Sequence, residues 1–215
     1  MKQDAVLFDL DGTLWDSVEQ VVTAWNRVIE QSGVPERMTE ELMSGYMGKT
    51  IEQIAELFFH SVSKERGLEI IRECCRYESG YLSVHGGRLY PELEKVLQQL
   101  SKQYFLAIVS NCQPGYIEAF LTAHGMRTYF GDWLCYGETG KPKGENIQLV
   151  MERNQVGKAV YIGDTQADFE ACQQAGVPFI HAAYGFGTVD AAVPHAQSVQ
   201  ELPHLIERLL GKREG

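Results

Sequence analysis

Apolar residues occur along the chain in short continuous runs, and most runs are followed by a segment with apolar residues at helical spacing. Runs of about four or five apolar residues without polar alternation are typical of strands buried on both faces of a parallel sheet. The runs at residues 5–8, 105–109, 133–136, 159–162 and 178–181 are the predicted strands. This alternation of strands and helices predicts the α/β class, with a Rossmann-like parallel sheet core and helices on both faces.

The segment between the first two predicted strands has a different pattern. Asp16, with Glu19 three residues later, resembles a capping box and predicts that a helix begins there. The rest of the segment is predicted as helical, because it has few β-branched runs and is broken mainly by glycines. We therefore expect a small α-helical cap, inserted after the first strand. The predicted cap is residues 16–82, and the predicted catalytic core is residues 1–15 and 83–215.

The charge balance restricts the class of ligand. The chain has 215 residues and a formal net charge of -10. Nucleic acids and anionic membranes bind positive surfaces, so neither is an expected partner. The five cysteines show no C-x-x-C spacing, which favours reduced thiols over a disulfide framework or a zinc site. No signal peptide or membrane-spanning run is recognisable, and we expect a cytoplasmic protein. The sequence makes no prediction of oligomeric state.

Polar residues follow the predicted strands where each strand ends. They are, in chain order, Asp9, Asp11, Ser110, Asn111, Asp164 and Asp168. Ligands of open parallel sheets bind outside the carboxyl ends of the strands, so these side chains are expected to meet in one cleft. Several carboxylates at one point repel each other unless a cation lies between them. A hard divalent ion with oxygen ligands, Mg²⁺, suits that arrangement. A loop with Lys141 and Lys143 offers further positive charge.

Four segments carry a resemblance to a known family. Residues 9–14, Asp-Leu-Asp-Gly-Thr-Leu, resemble the first motif of the haloacid dehalogenase-like hydrolase superfamily. Ser110-Asn111 resembles the second motif, the lysine loop the third, and residues 163–168 the fourth. The order of the motifs and their positions at strand ends agree with the family. The resemblance is to the phosphoglycolate-phosphatase-like branch, whose helical cap lies between the first and second motifs.

The resemblance implies a Mg²⁺-dependent phosphatase that hydrolyses a small-molecule phosphate monoester through an aspartyl-phosphate intermediate. Asp9 would be the nucleophile. Asp11 would be the general acid for the leaving oxygen and then the base for the hydrolytic water. Asp9, the backbone carbonyl of Asp11 and Asp164 would hold the metal ion, with Asp168 in direct or indirect contact with it.

The resemblance also implies that Ser110, Asn111 and one lysine bind the phosphate. Lys141, which precedes a proline, matches one version of the third motif. Lys143 matches another version, in which the lysine lies next to a helix start. Both remain candidates, and Lys143 is favoured because of its position at the expected helix start.

Two other functions are compatible with the same residues. A sugar-phosphate phosphomutase would use the same Asp9 and Asp11 and differ in the cap. A non-catalytic phosphate-binding or nucleotide-binding module would show no turnover. A dehalogenase is less expected, because resemblance to that branch does not require an acid/base at Asp11. The cap residues that would choose a substrate carry no recognisable motif.

Overall fold

A parallel sheet forms the centre of the computed structural model, which describes residues 3–211. In chain order the strands of this part of the chain are β1 (Gln3–Phe8), β2 (Trp15–Asp16), β3 (Arg88–Leu89), β4 (Phe105–Ser110), β5 (Asp132–Cys135), β6 (Val156–Gly163), β7 (Phe179–Ala182) and β8 (His195–Ala196). Six of them form one sheet in the order β5-β4-β1-β6-β7-β8, with every neighbouring pair parallel. The short strands β2 and β3 pair antiparallel beside it.

Helices cover both faces of the sheet. They are α1 (Val18–Gln31), α2 (Glu40–Tyr46), α3 (Ile51–Phe58), α4 (Lys64–His85), α5 (Leu93–Leu100), α6 (Tyr116–Ala123), α7 (Tyr136–Thr139), α8 (Lys143–Arg153), α9 (Gln166–Ala175) and α10 (Leu202–Leu210). Successive side chains of a strand point to opposite faces. Val6 and Phe8 of β1 accordingly pack with α5, α6 and α10, while Ala5 and Leu7 pack with α8 and α9. The predicted parallel sheet with helices on both faces is confirmed.

The helices α1 to α4 are inserted between the two strands of the β2–β3 pair. Their apolar faces belong to the same buried cluster as one face of the sheet, and this cluster includes Trp25 of α1 and Ile70 of α4. Helix α4 continues to His85, beyond residue 82, which is the predicted end of the cap. Gly86 follows it with a φ of 65°, which a residue with a side chain rarely adopts. The division into two domains remains a prediction.

The start of α1 differs from the sequence prediction. Ser17, not Asp16, is the residue before the first helical turn, and the Ser17 side chain makes no capping hydrogen bond. The carboxylate of Asp16 instead pairs with Arg88 at 2.6 Å and accepts the Val18 N–H at 3.2 Å. Asp16 thus joins β2 to β3 at the base of the helical segment. The expected capping box is wrong because the ion pair across the two strands was not visible in local spacing.

Two further differences concern short elements. The strand predicted at residues 133–136 lies one residue earlier, as β5, and Tyr136 begins α7. Glu138 accepts the Cys135 N–H at 3.1 Å, which starts the helix at that point. Strands β3 and β8 contain two residues each, too few to show a hydrophobic period. Within residues 3–211, no helix combines the length and apolar character needed to cross a bilayer.

Candidate active site

Three neighbouring strands end at one edge of the sheet. Strands β4, β1 and β6 lie side by side, and their carboxyl ends carry Ser110, Asp9 and Asp164 respectively. The Asp9 N–H donates to the Ile162 carbonyl at 2.8 Å, so the pairing of β1 with β6 continues into the site. All three polar side chains are buried. The predicted convergence at the strand ends is therefore observed for these residues.

A cluster of carboxylates lies at this edge. Asp9, Asp164 and Asp168 each offer an oxygen, and these oxygens lie within 4.8 Å of one another. Burial raises the pKa of Asp9 well above its usual range; Lys143 opposes this shift, and Asp168 and Asp164 add to it. Burial, together with Asp168, also raises the pKa of Asp164 to about 7. Such a cluster keeps its negative charge only when positive charge lies close to it.

Lys143 provides one such charge. It is the first residue of α8, and its Nζ donates to Oδ1 of Asp9 at 2.9 Å and to Oδ1 of Asp168. Burial alone would lower the pKa of Lys143, but the two carboxylates outweigh burial and raise it, so the side chain stays charged. Lys141 is exposed and pairs with Glu145 at 3.4 Å. Of the two candidate lysines, Lys143 is the one in contact with Asp9.

Asp168 is held by the start of α9. Its Oδ2 accepts the Thr165 N–H at 3.0 Å and the Thr165 hydroxyl at 2.6 Å. Its own N–H donates to the Thr165 hydroxyl oxygen at 3.2 Å, which completes a capping box. Its other oxygen, Oδ1, accepts from Lys143. Both oxygens of Asp168 therefore already have protein partners. The start of α9 orients the Asp168 carboxylate, and this carboxylate in turn orients Lys143.

Asp164 has one oxygen with partners and one without. Oδ2 accepts the N–H groups of Phe186 at 2.8 Å and Gly187 at 3.2 Å. Oδ1 is buried and meets no hydrogen-bond donor among residues 3–211. A side chain at Gly12 would place its Cβ 2.6 Å from Cγ of Asp164, and Gly185 is equally close, so the backbone encloses the carboxylate. A buried carboxylate oxygen without a donor, next to two further carboxylates, fits a hard divalent cation.

Asp11 is held differently. Its Oδ1 accepts three hydrogen bonds, from Trp15 Nε1 at 2.9 Å, Ser17 Oγ at 2.7 Å and the Tyr116 hydroxyl at 2.9 Å. Burial raises the pKa of Asp11, and the three donors oppose that shift. No described residue donates to Oδ2, so that oxygen is available to a substrate. None of the three donors was predicted from the sequence. Trp15 and Ser17 are close in sequence to Asp11, but Tyr116 reaches it only through the fold.

Asn111 contacts the helical segment. Its Nδ2 donates to the carbonyl of Gly48, in the loop between α2 and α3, at 2.9 Å. Gly48 has a φ of 81°, and a Cβ there would lie 3.5 Å from Thr165. The loop therefore lies over the strand ends. Asn111 and Ser110 both lie at this edge of the sheet. The side-chain N–H group of Asn111, however, is bonded to the loop and not directed to a phosphate.

A cavity separates the carboxylates from the helical segment. Its floor includes Asp9, Asp11 and Ser110. Its roof and walls come from α1 to α4, which contribute Val21, Trp25, Met43, Tyr46, Ile54 and Glu78 among others. The segment predicted as a cap thus encloses the space above the predicted nucleophile.

Comparison with known proteins gives the family. The family model described as haloacid dehalogenase-like hydrolase matches residues 6–182. The phosphoglycolate phosphatase of Aquifex aeolicus is 29% identical over 197 residues, which cover 88% of this chain and 89% of that protein. The phosphoglycolate phosphatase of Vibrio parahaemolyticus is 28% identical over 222 residues, covering 94% and 95%.

Solved structures show the same fold. A predicted phosphatase from Clostridium acetobutylicum superposes with a TM-score of 0.81 at 21% identity, covering 97% of this chain and 100% of that one. A haloacid dehalogenase-like family hydrolase from Streptococcus pneumoniae gives a TM-score of 0.79 at 21% identity, covering 95% and 98%. Since the family model covers most of the chain, from β1 to β7, the chain belongs to the haloacid dehalogenase-like hydrolase family.

Proposed function

We propose that the chain hydrolyses small-molecule phosphate monoesters by passing the phosphoryl group first to Asp9 and then to water, with Mg²⁺ bound in the carboxylate cluster. The chain is a phosphoric monoester hydrolase of the haloacid dehalogenase-like family. The observation that carries the mechanism is the contact of Lys143 with Asp9, inside a buried cluster that also contains Asp164 and Asp168.

Asp9, Asp164 and the backbone carbonyl of Asp11 would hold the metal ion. Support comes from the buried Oδ1 of Asp164, which has no donor among the described residues, and from its closeness to Asp9. When bound, a divalent ion supplies charge neutralisation for the phosphate oxygens. A single lysine against three neighbouring carboxylates leaves the cluster net negative, so a phosphate dianion needs this additional positive charge.

Asp9 and Asp11 would divide the chemistry. An oxygen of Asp9 attacks phosphorus, a new P–O bond forms, and the bond from phosphorus to the leaving alcohol breaks. Asp11, protonated, gives its proton to the leaving oxygen. In the second half, Asp11 takes a proton from water, the water oxygen attacks phosphorus, and the bond to Asp9 breaks. The raised pKa of Asp11 supports its protonated starting form.

The remaining polar residues would bind and orient. Lys143 and Ser110 bind phosphate oxygens, and Lys143 stabilises the charge that develops during transfer. Asn111 would bind phosphate if its bond to Gly48 opened, and it otherwise orients the loop over the site. Asp168 is proposed to contact the metal ion indirectly, since its two oxygens are occupied by Lys143 and Thr165.

The helical segment, residues 16–82 in the predicted division, would act as a cap. It covers the cavity above Asp9, where exclusion of water strengthens the electrostatic contacts and protects the phosphorylated aspartate. Cytoplasmic localisation stays an expectation. It is supported by the five cysteines, all free in the described chain, which match a reducing compartment.

The test combines a substitution with a metal requirement. A panel of small phosphate esters and p-nitrophenyl phosphate is assayed for released phosphate with Mg²⁺, EDTA, and EDTA followed by excess Mg²⁺. We expect turnover that EDTA abolishes and Mg²⁺ restores. Asp9→Asn should remove turnover and keep the folded state, because the amide oxygen is a poor nucleophile.

Asp190→Asn, the same change at an exposed position, is the matched control and should retain wild-type turnover. Wild-type rates in Asp9→Asn would exclude Asp9 as the nucleophile. Metal-independent turnover would exclude the proposed metal role. Conversion of a phosphosugar into an isomer, without free phosphate, would favour the phosphomutase alternative.

A further inference from the structure

One acidic side chain of the helical segment lines the cavity above Asp9 and Asp11. Glu78 of α4 is only 4% exposed. Trp25 Nε1 donates to its Oε2 at 2.7 Å. Among residues 3–211, no donor meets Oε1 and no lysine or arginine pairs with the carboxyl group. Glu78 therefore presents one oxygen that the protein itself does not use.

An acidic group in this position is costly for the fold. Burial without a cation disfavours a carboxylate strongly. Burial raises the pKa of Glu78 to about 8, with Trp25 opposing the shift and the charge of Asp11 adding to it. The surrounding cavity walls, among them Val21, Met43 and Ile54, would accommodate an apolar side chain without this cost. A buried polar group with unused capacity at a cavity wall indicates a ligand that supplies its partner.

A second polar group in the same cavity is also without a partner. Nε2 of Gln113, in the loop after β4, is buried and meets no acceptor among the described residues. Within the described chain, the residues that line the cavity thus include Glu78, with an oxygen that has no donor, and Gln113, with an N–H₂ group that has no acceptor. A hydroxyl group both donates and accepts a hydrogen bond, so it can bind to either of these groups.

A carboxylate matches the pair poorly. A carboxylate can accept from Gln113, and from Glu78 while Glu78 is protonated, but it has no proton to give to an ionised Glu78. An ionised Glu78 repels the ligand's carboxylate. Beside a protonated Glu78, the ligand's carboxylate still loses its hydration, and no buried cation among the described residues of the cavity wall compensates for that loss. Lys49 also borders the cavity, but this residue is exposed to solvent. The chemistry of the walls therefore favours a neutral, hydroxyl-bearing alcohol.

We propose that Glu78 is a specificity-determining residue that selects phosphate esters whose alcohol carries a second, free hydroxyl group over esters whose alcohol carries a carboxylate. This inference rests on the proposed phosphatase function. Its expected consequence is a preference for a polyol phosphate over phosphoglycolate, the ester in the name of the curated relatives. Selection of this kind is strong because an unsuitable ligand leaves buried polar groups unpaired.

The test measures kcat/KM of the full chain with Mg²⁺ for glycerol 1-phosphate, 2-phosphoglycolate and p-nitrophenyl phosphate. We expect the wild type to favour glycerol 1-phosphate over 2-phosphoglycolate by about tenfold or more. Glu78→Gln keeps an oxygen for Trp25 and turns the amide N–H₂ toward the cavity. This variant should lower the glycerol-to-glycolate ratio by about tenfold or more, with turnover of the aryl ester changed less than about threefold.

Glu73→Gln, at an exposed position of the same helix, is the matched control and should keep the wild-type ratio. An unchanged ratio in a folded Glu78→Gln variant, or a wild type that favours 2-phosphoglycolate, would overturn the inference. In either case, release of phosphate by the wild type would still support the proposed phosphatase function. If the variant fails to fold, a wild-type preference for 2-phosphoglycolate would still overturn the inference. Absence of turnover of all three esters would overturn the proposed function and the inference together.

Discussion

The strand-end site and the cavity under the helical segment differ in how their polar groups are paired. At the strand ends, Lys143 donates to both Asp9 and Asp168, and Asp168 also accepts from Thr165. In the cavity, Glu78 has a single partner, Trp25, among mostly apolar neighbours. The first region is organised before any ligand arrives, as electrostatic stabilisation of a transition state requires. The second region keeps hydrogen-bonding groups without a partner in the described chain, and these can bind the part of a ligand that varies from one substrate to another.

The largest effect is expected from a substitution in the strand-end site. Lys143→Met removes the charge that touches Asp9 and leaves Asp168 without its partner, so kcat for p-nitrophenyl phosphate should fall by about a thousandfold. Lys141→Met is the matched control and should lower kcat less than about twofold, because Lys141 pairs only with exposed Glu145. The reverse order of these two losses would assign the motif lysine to Lys141.

A second prediction concerns stability in the cavity region. The pKa of Glu78 is raised from 4.5 to about 8, so between these values the unfolded chain releases a proton that the folded chain retains. Stability from this group is therefore undiminished below about pH 4.5 and declines, by roughly 1.4 kcal/mol for each pH unit, up to about pH 8. Glu78→Gln should remove that decline.

Urea unfolding of the wild type and of Glu78→Gln at several pH values measures the difference. The difference in free energy of unfolding should grow in favour of the variant as the pH rises, because Asp11 and the other acids are present in both proteins. A difference that stays constant with pH would contradict burial of an unpaired acid at this position.

The smallest expected effect concerns the three donors on Asp11. Tyr116→Phe keeps the ring packed against Trp15 and removes one of the three hydrogen bonds. A loss of about 1 kcal/mol, or about fivefold in kcat, is expected, with little change in KM. Tyr129→Phe, which loses only a hydrogen bond to Glu94, should leave kcat unchanged. Equal effects of the two changes would show that Tyr116 does not orient Asp11.

Much of the strand-end site was predictable from sequence. Apolar runs located the strands, and in a parallel sheet the residues after neighbouring strands lie at one edge. Asp9, Ser110 and Asp164 follow that rule. Lys143 was favoured over Lys141 because it adjoins the helix start, and it is the lysine that contacts Asp9. The roles given to these residues remain predictions, and the variants above test those of Asp9 and Lys143.

The cavity was not predictable in the same way. Glu78 lies in a long helix with charged neighbours, where an isolated acid is typical of an exposed face. Its burial depends on the packing of α1, which brings Trp25 to it from 53 positions away. Tyr116 reaches Asp11 across 105 positions for the same reason. Local spacing carries no information about such contacts.

The sequence by itself determined the α/β class, the order of the strand-end residues and membership of the haloacid dehalogenase-like hydrolases, because these depend on periodicity and on short motifs along the chain. Only the tertiary structure decided which oxygen of each carboxylate is occupied and which acid is buried without a cation. The physical reason is that hydrogen-bond pairing and desolvation depend on neighbours in space, and helix packing brings those neighbours from distant parts of the chain.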